Sequence, residues 1–235
     1  MSLDNICNNI NTISKRIASA CLKAGRNPSE VTLVAVSKTK PNDFILKALE
    51  CGQLAFGENK MQELETKMSA ISHADIKWHM IGTMQSNKIK YIANRVDWIH
   101  SVSKTKHLKE IEKRAAEANR TINVLIQVNI SGEEQKSGCE PEEISKILDY
   151  AKNLSHVKVR GFMGIATFVD NPELVRPEFA LLKKLLTEHQ QFNNGSNIQL
   201  DQLSMGMSAD MEIAIEEGAT MVRVGSNIFG SRNYQ

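Results

Sequence analysis

Val31-Thr32-Leu33-Val34-Ala35-Val36-Ser37-Lys38-Thr39-Lys40-Pro41 is the stretch on which the architecture of this 235-residue chain turns. Its first half is β-branched and almost wholly apolar, the composition of a strand buried on both faces in a parallel sheet. Lys38 ends the apolar run, and Pro41 closes the strand and opens a helical segment. The carboxyl ends of the strands form the functional rim of an α/β barrel. A lysine at that place has two readings. It is either a strand end in solvent or a desolvated amine, and desolvation makes a lysine nucleophilic toward aldehydes.

The same alternation continues outward. Further short apolar runs begin near Leu54, Lys77, Trp98, Ile122, Val157, Leu200 and Thr220. Helical stripes lie between them: Leu108, Ile111, Ala115 and Ala118; Ile144, Ile147, Leu148, Ala151 and Leu154 behind Pro141-Glu142-Glu143; Phe179, Leu182 and Leu186 behind Asn171-Pro172-Glu173. Eight strands, each followed by a helix, predict a (β/α)8 barrel; a doubly wound open sheet is the alternative but usually has fewer strands. Ahead of the first strand, Ile6, Ile10, Ile13, Ile17 and Cys21 share one helical face. That face predicts an extra helix over residues 3–25, stopped by Gly25 and packed outside the barrel. No linker or low-complexity segment interrupts residues 31–230, so residues 1–235 are expected to form a single domain.

Composition excludes several function classes. With 29 basic and 27 acidic side chains well mixed along the chain, the net charge of +2 gives no nucleic-acid or membrane-surface footprint. Cys7, Cys21, Cys51 and Cys139 form no C-x-x-C pair, and the chain opens with no signal peptide. They read as reduced thiols of a cytoplasmic protein without a metal site.

Barrels often hold phosphate in the loops after strands seven and eight. Here the seventh strand runs into Leu203-Ser204-Met205-Gly206-Met207-Ser208-Ala209-Asp210. In it Ser204 offers a hydroxyl, Gly206 permits close backbone approach, and Ser208 reads as the N-cap of the next helix. The eighth runs into Val224-Gly225-Ser226-Asn227, where Gly225 and Ser226 present backbone amides to an oxyanion. Arg223, inside the apolar Met221-Val222-Arg223-Val224, needs a partner, either a structural carboxylate or a ligand atom. His79, in the third strand, reads as a core histidine or a base. The charged loop 129–138 reads as a lid or a solvated connection. A reactive lysine, a phosphate cradle and an arginine on one rim together suit pyridoxal 5′-phosphate.

These residues carry a resemblance. Val34-Ala35-Val36-Ser37-Lys38-Thr39-Lys40-Pro41, Phe56-Gly57-Glu58-Asn59, Trp78-His79-Met80-Ile81-Gly82 with Gln85-Ser86-Asn87-Lys88, Gly161-Phe162-Met163-Gly164, Leu203-Ser204-Met205-Gly206-Met207-Ser208 and Val222-Arg223-Val224-Gly225 resemble, in order, the pyridoxal phosphate homeostasis protein family. The resemblance implies a barrel like the N-terminal domain of alanine racemase, with pyridoxal phosphate in a Schiff base on Lys38 and Arg223 facing the pyridine nitrogen. It implies Ser204, Gly225 and Ser226 at the phosphate and Asn59 and Gly206 lining the site. The resemblance implies a role in the vitamin B6 pool without evident catalytic turnover, and as partners pyridoxal-phosphate-dependent apoenzymes or B6-metabolism enzymes. Lys136 resembles a family lysine associated with cofactor handling. Lys60 departs from the pattern, standing where the family usually has an aromatic residue. A pyridoxal-phosphate enzyme of the racemase or decarboxylase type is the alternative, and an aldolase using Lys38 is a third. Against the racemase, the sequence ends five residues after Gly230, which leaves no stretch here for a further β domain.

Overall fold

The eight apolar runs become strands within two residues of their expected starts, in a computed structural model that describes residues 3–133 and 137–230. They are β1 (Thr32–Val36), β2 (Ala55–Glu58), β3 (Lys77–Met80), β4 (Trp98–Val102), β5 (Ile122–Gln127), β6 (Val157–Met163), β7 (Ile198–Ser204) and β8 (Met221–Val224). Every strand pairs in parallel with its sequence neighbours, and β8 returns to β1 through Thr32 opposite Met221 and Ala35 opposite Val224, which closes the barrel. The helices are α1 (Ile6–Lys23), α2 (Asn42–Glu50), α3 (Met61–Ala70), α4 (Thr105–Glu117), α5 (Ile144–Ala151), α6 (Arg176–Glu188), α7 (Met211–Glu216) and α8 (Ser226–Phe229).

One crossover departs from expectation. Between β3 and β4 the chain forms a 3-10 helix, Ser86–Tyr91, instead of an α-helix. Ile89 and Ile92, both fully buried, stand three residues apart, the spacing that aligns side chains along a 3-10 edge.

Strand alternation sorts side chains into two regions. Phe56, Ile99 and Val222 join the shell between strands and helices. Val34, Ala55, Leu125, Met163 and Met221, with Trp98 against them, form a separate apolar layer inside the barrel. Two residues further along β4 and β8, on the same inward face, stand His100 and Arg223. The barrel interior is therefore apolar at the level of Met221 and polar nearer the carboxyl ends.

α1 lies outside the barrel against α2, α7 and α8. Its apolar stripe is buried, and its polar face is tied down by Arg16 to Glu212 and Lys23 to Glu216, both 2.6 Å. Gly25, at φ +67°, ends it as the sequence indicates. The expectation of four reduced cysteines is corrected here. Cys7, at the start of α1, and Cys51, just after α2, form a disulfide across a separation of 44 residues. Packing of α1 on α2 brings the two sulfurs together, while Cys21 and Cys139 remain buried thiols. Among the described residues no helix is long and apolar enough to cross a membrane, and no three His, Cys, Asp or Glu side chains are placed to hold a metal ion.

Candidate functional site

At the carboxyl ends of the strands the barrel opens into a cavity of about 560 Å³. Lys38, Asn59, Arg223, Gly225 and Ser226 all border it. Five of the seven residues expected to form a site thus meet on one surface, although they are spread over nearly the whole chain. Three exposed apolar side chains, Ile165, Phe168 and Met207, also line the cavity.

Lys38 is half-buried in the turn that follows β1, between Ser37 and Thr39. Thr39 adopts a left-handed conformation, φ +65°, unusual for a β-branched residue and in need of support. α3 supplies the support. Lys67 Nζ donates to the Ser37 carbonyl at 2.8 Å, to Glu58 Oε1 at 2.7 Å and to Glu63 Oε1 at 2.7 Å. Glu63 Oε1 in turn accepts from the Thr39 amide, and the Ser37 hydroxyl donates to Glu58 at 2.6 Å. The backbone is therefore held on both sides of Lys38. Burial pushes the Glu58 carboxyl above the usual carboxylate range, opposed by Lys67. Lys40, also on the cavity wall, has its pKa lowered by burial.

Arg223 projects from β8 and is 5% exposed. Its Nη1 donates to Ser204 Oγ at 2.7 Å and its Nη2 to the Gly164 carbonyl at 2.9 Å. Both partners are neutral, so neither the structural carboxylate nor a ligand is needed to satisfy these two donors. Burial brings its pKa down to about 10, with Asp210 acting in the opposite direction.

Two expected residues stand elsewhere. Ser204 is fully buried, with its hydroxyl between Arg223 and His100, and does not border the cavity. Gly206, at φ +90°, is needed for helix packing: a Cβ there would lie 2.6 Å from the Ala214 Cβ of α7. Ser208 borders the cavity but is not the N-cap of α7; Asp210 holds that position and accepts the Met207 amide. Lys60 is exposed at the start of α3 and faces a second, smaller cavity with Gln85 and Lys88. His79 is buried inside the barrel, 2.9 Å from His100. In the loop 129–138, Asn129 binds the Glu133 carbonyl and Glu140, and Gln127 binds the Ser137 carbonyl. Lys136 lies outside the described residues. Sequence reasoning missed His100, Lys67 and Asp210, because an isolated charge or imidazole in a periodic stretch carries no signal of its partner.

At the α8 end, Gly225 precedes the first helical residue, and a Cβ on it would come 3.2 Å from the Val36 carbonyl. The first amides of a helix have no intrahelical acceptor, so Ser226 offers an N–H donor at this end of the cavity.

Residues 1–233 match the model of the alanine racemase N-terminal domain family. A pyridoxal phosphate homeostasis protein of Aquifex aeolicus is 44% identical over 230 residues, covering 98% of this chain and 100% of that one. A solved structure of a protein of unknown function from Bifidobacterium adolescentis superposes with a TM-score of 0.90 at 34% identity, over 97% of this chain and 95% of that one. PipY of Synechococcus elongatus, solved with pyridoxal phosphate bound, superposes with a TM-score of 0.79 at 34% identity, over 93% of this chain and 100% of that one.

Proposed function

The chain belongs to the pyridoxal phosphate homeostasis protein family, within the alanine racemase N-terminal domain family, and on that premise we propose that it binds pyridoxal 5′-phosphate in the Lys38 cavity and serves the homeostasis of that cofactor. One observation carries the reading: an amine (Lys38), a buried guanidinium (Arg223) and the first turn of a helix (Gly225, Ser226) border the same cavity. Pyridoxal phosphate has a counterpart for each. When bound, it supplies an aldehyde and an electron-withdrawing ring.

Lys38, on the cavity wall, would hold the cofactor through its amine, as a Schiff base to the aldehyde with water released. The clamp from Lys67 and Glu63 fixes the direction from which that amine enters. Gly225 and Ser226 offer backbone amides to the phosphate, and Ser208 adds a hydroxyl on the neighbouring wall. Asn59 closes the β2 side. Gly206 and Ser204 act from behind the wall. Arg223 can only donate, so it would hold a ring nitrogen as a hydrogen-bond acceptor and disfavour its protonation. That arrangement would make the ring a weaker electron sink, suited to holding the cofactor more than to turnover of amino acids.

We read residues 1–235 as one binding unit acting in the cytoplasm. Its partners would be pyridoxal-phosphate-dependent apoenzymes or enzymes of B6 metabolism. Nucleic acid and membrane have no part in this reading.

The test is borohydride reduction of purified protein mixed with pyridoxal phosphate, followed by peptide mass mapping. A visible imine band and a reduced adduct on Lys38, both lost in Lys38→Ala, are expected. An adduct on another lysine, or none, rejects the assignment. Amino-acid turnover well above that of free cofactor would replace it with a pyridoxal-phosphate enzyme.

A further inference from the structure

Four buried side chains from four strands make a continuous line inside the barrel. Arg223 Nη1 lies 2.7 Å from Ser204 Oγ, Ser204 Oγ 2.9 Å from His100 Nδ1, and His100 Nε2 2.9 Å from His79 Nδ1. All four residues are buried, the most exposed being Arg223 at 5%. Trp98 stacks on the His79 ring, 5.8 Å between centroids, and meets His100 edge-on.

The chemistry of arginine gives this line a direction. A guanidinium has donors only, so Ser204 Oγ must accept from it. Among the described residues, the Ser204 hydroxyl has one other partner, His100 Nδ1. A buried hydroxyl proton left without an acceptor is costly, so that proton points at His100 Nδ1. His100 therefore carries its own proton on Nε2, which faces His79 Nδ1. His79 accepts there and is protonated on Nε2. Burial favours the uncharged form of both rings, with His79 lowered to about 3 and His100 well below its ordinary value.

We propose that His100 is a positioning residue for Arg223, acting through Ser204 in a one-way hydrogen-bond chain that fixes both histidines as neutral Nε2–H tautomers. The chain aims the acceptor ends of the serine and of two imidazole dipoles at the guanidinium. The charge is thereby held by neutral hydrogen-bond partners, the Gly164 carbonyl included, while Asp210 contributes only through its field. Arg223 keeps its full charge and a set orientation at the cavity wall. On this assignment Ser204 orients the arginine and is not a phosphate ligand.

The tautomers stand independently of any cofactor; their bearing on pyridoxal phosphate rests on the function proposed above. The first measurement is long-range ¹H–¹⁵N correlation on histidine-labelled full-length protein without cofactor. Both histidines should show Nε2–H, unchanged over about pH 5–8. A proton on His100 Nδ1, or protonation of either ring in that range, overturns the chain.

The second measurement compares Ser204→Ala with wild type for pyridoxal 5′-phosphate and for pyridoxal, which lacks the phosphate. Loss of a hydrogen bond to a charged group should weaken both ligands by roughly tenfold or more, and equally. A loss confined to the phosphorylated ligand makes Ser204 a phosphate contact and overturns the assignment; no loss for either does the same. Ser204→Thr, which keeps the hydroxyl, should restore both affinities and the His100 tautomer. If wild type bound neither ligand, the proposed function would fall, while the tautomers would still decide the chain.

Discussion

Lys67 Nζ and Glu58 Oε1 lie 2.7 Å apart, both side chains buried, beneath the turn that carries Lys38. The lysine comes from α3 and the glutamate from the end of β2, so the pair joins a helix to the barrel wall beside the turn of Lys38. All three ammonium protons have acceptors: Ser37 O, Glu58 and Glu63. Glu58 Oε2 has no hydrogen-bond partner among the described residues.

Removing the lysine alone should therefore be severe. Lys67→Met leaves a buried carboxylate uncompensated, an effect of about 3–5 kcal/mol, whereas replacing both partners by neutral groups is much milder. Urea unfolding should show a large fall in the midpoint for Lys67→Met and recovery of most of it in Lys67→Met/Glu58→Gln. Equal destabilisation by the single and the double substitution would show that the pair is not what holds this turn.

Stability should also fall on mild acidification. His79 has its pKa lowered from 6.5 to about 3, and His100 is lowered as well, both chiefly by burial. The unfolded chain binds these protons as the pH drops below about 6.5 while the folded chain does not. Each histidine thus removes about 1.4 kcal/mol of stability per pH unit, starting at that point and continuing toward its folded pKa. Glu58, whose pKa is raised, works in the opposite sense: its contribution diminishes as the pH rises. His79→Gln keeps an acceptor for His100 and should reduce the slope between pH 6.5 and 5 by about 1.1 kcal/mol per unit on average, approaching about 1.4 at the acid end. An unchanged slope would contradict the neutral, buried state of His79.

The strands were legible because each is a local run of apolar residues, and Lys38 because it ends one. Gly225 and Ser226 were legible by the same logic, since a turn after a strand needs no knowledge of its neighbours. Ser204 was read in the loop after the seventh strand as a phosphate contact; it is the last residue of β7, with its hydroxyl between Arg223 and His100. Its partners lie 104 and 19 residues away: Arg223 comes from the neighbouring strand β8, and His100 from β4, which only the barrel sets opposite. Lys67 sits in a helix with several charged residues, none of them as buried, and nothing in its neighbours' identities marks it as the buried one. The 3-10 crossover and the Cys7–Cys51 bond were missed for a related reason. One depends on a three-residue spacing inside an unremarkable segment, and the other on two helices packing side by side.

That bond has its own measurable consequence. Closing a loop of 44 residues restricts the unfolded chain by about 4 kcal/mol in the chain-entropy estimate, an upper value for what the bond contributes. Reductant, or Cys51→Ser, should lower the thermal midpoint without changing the fold. Cys21 and Cys139 are buried, and burial pushes the Cys139 thiol up to about 12. Native protein should therefore resist thiol reagents, and reduction should make one pair of sites reactive. If reductant leaves both the midpoint and the labelling unchanged, Cys7 and Cys51 are not bonded in the protein in solution.

Gly82 ties the end of β3 to the cavity wall. A Cβ at this position would overlap the Asn59 carbonyl and stand 2.6 Å from the Asn59 Cα, both of them backbone atoms that cannot rotate aside. Asn59 follows β2 and borders the cavity. Gly82→Ala must therefore displace the Asn59 backbone, with an expected loss of about 1–3 kcal/mol of stability, as for other overpacked sites. Weaker uptake of pyridoxal phosphate should accompany it. Gly195→Ala is the matched control: it has nothing within 4 Å of an added Cβ but a left-handed φ of +71°. Strain there should lower stability by about 1–2 kcal/mol and leave uptake unchanged. Titration by visible absorbance beside urea unfolding separates the two effects. Were both variants to lose stability and neither to lose uptake, close approach at Gly82 would be a packing requirement of the barrel and not part of the site.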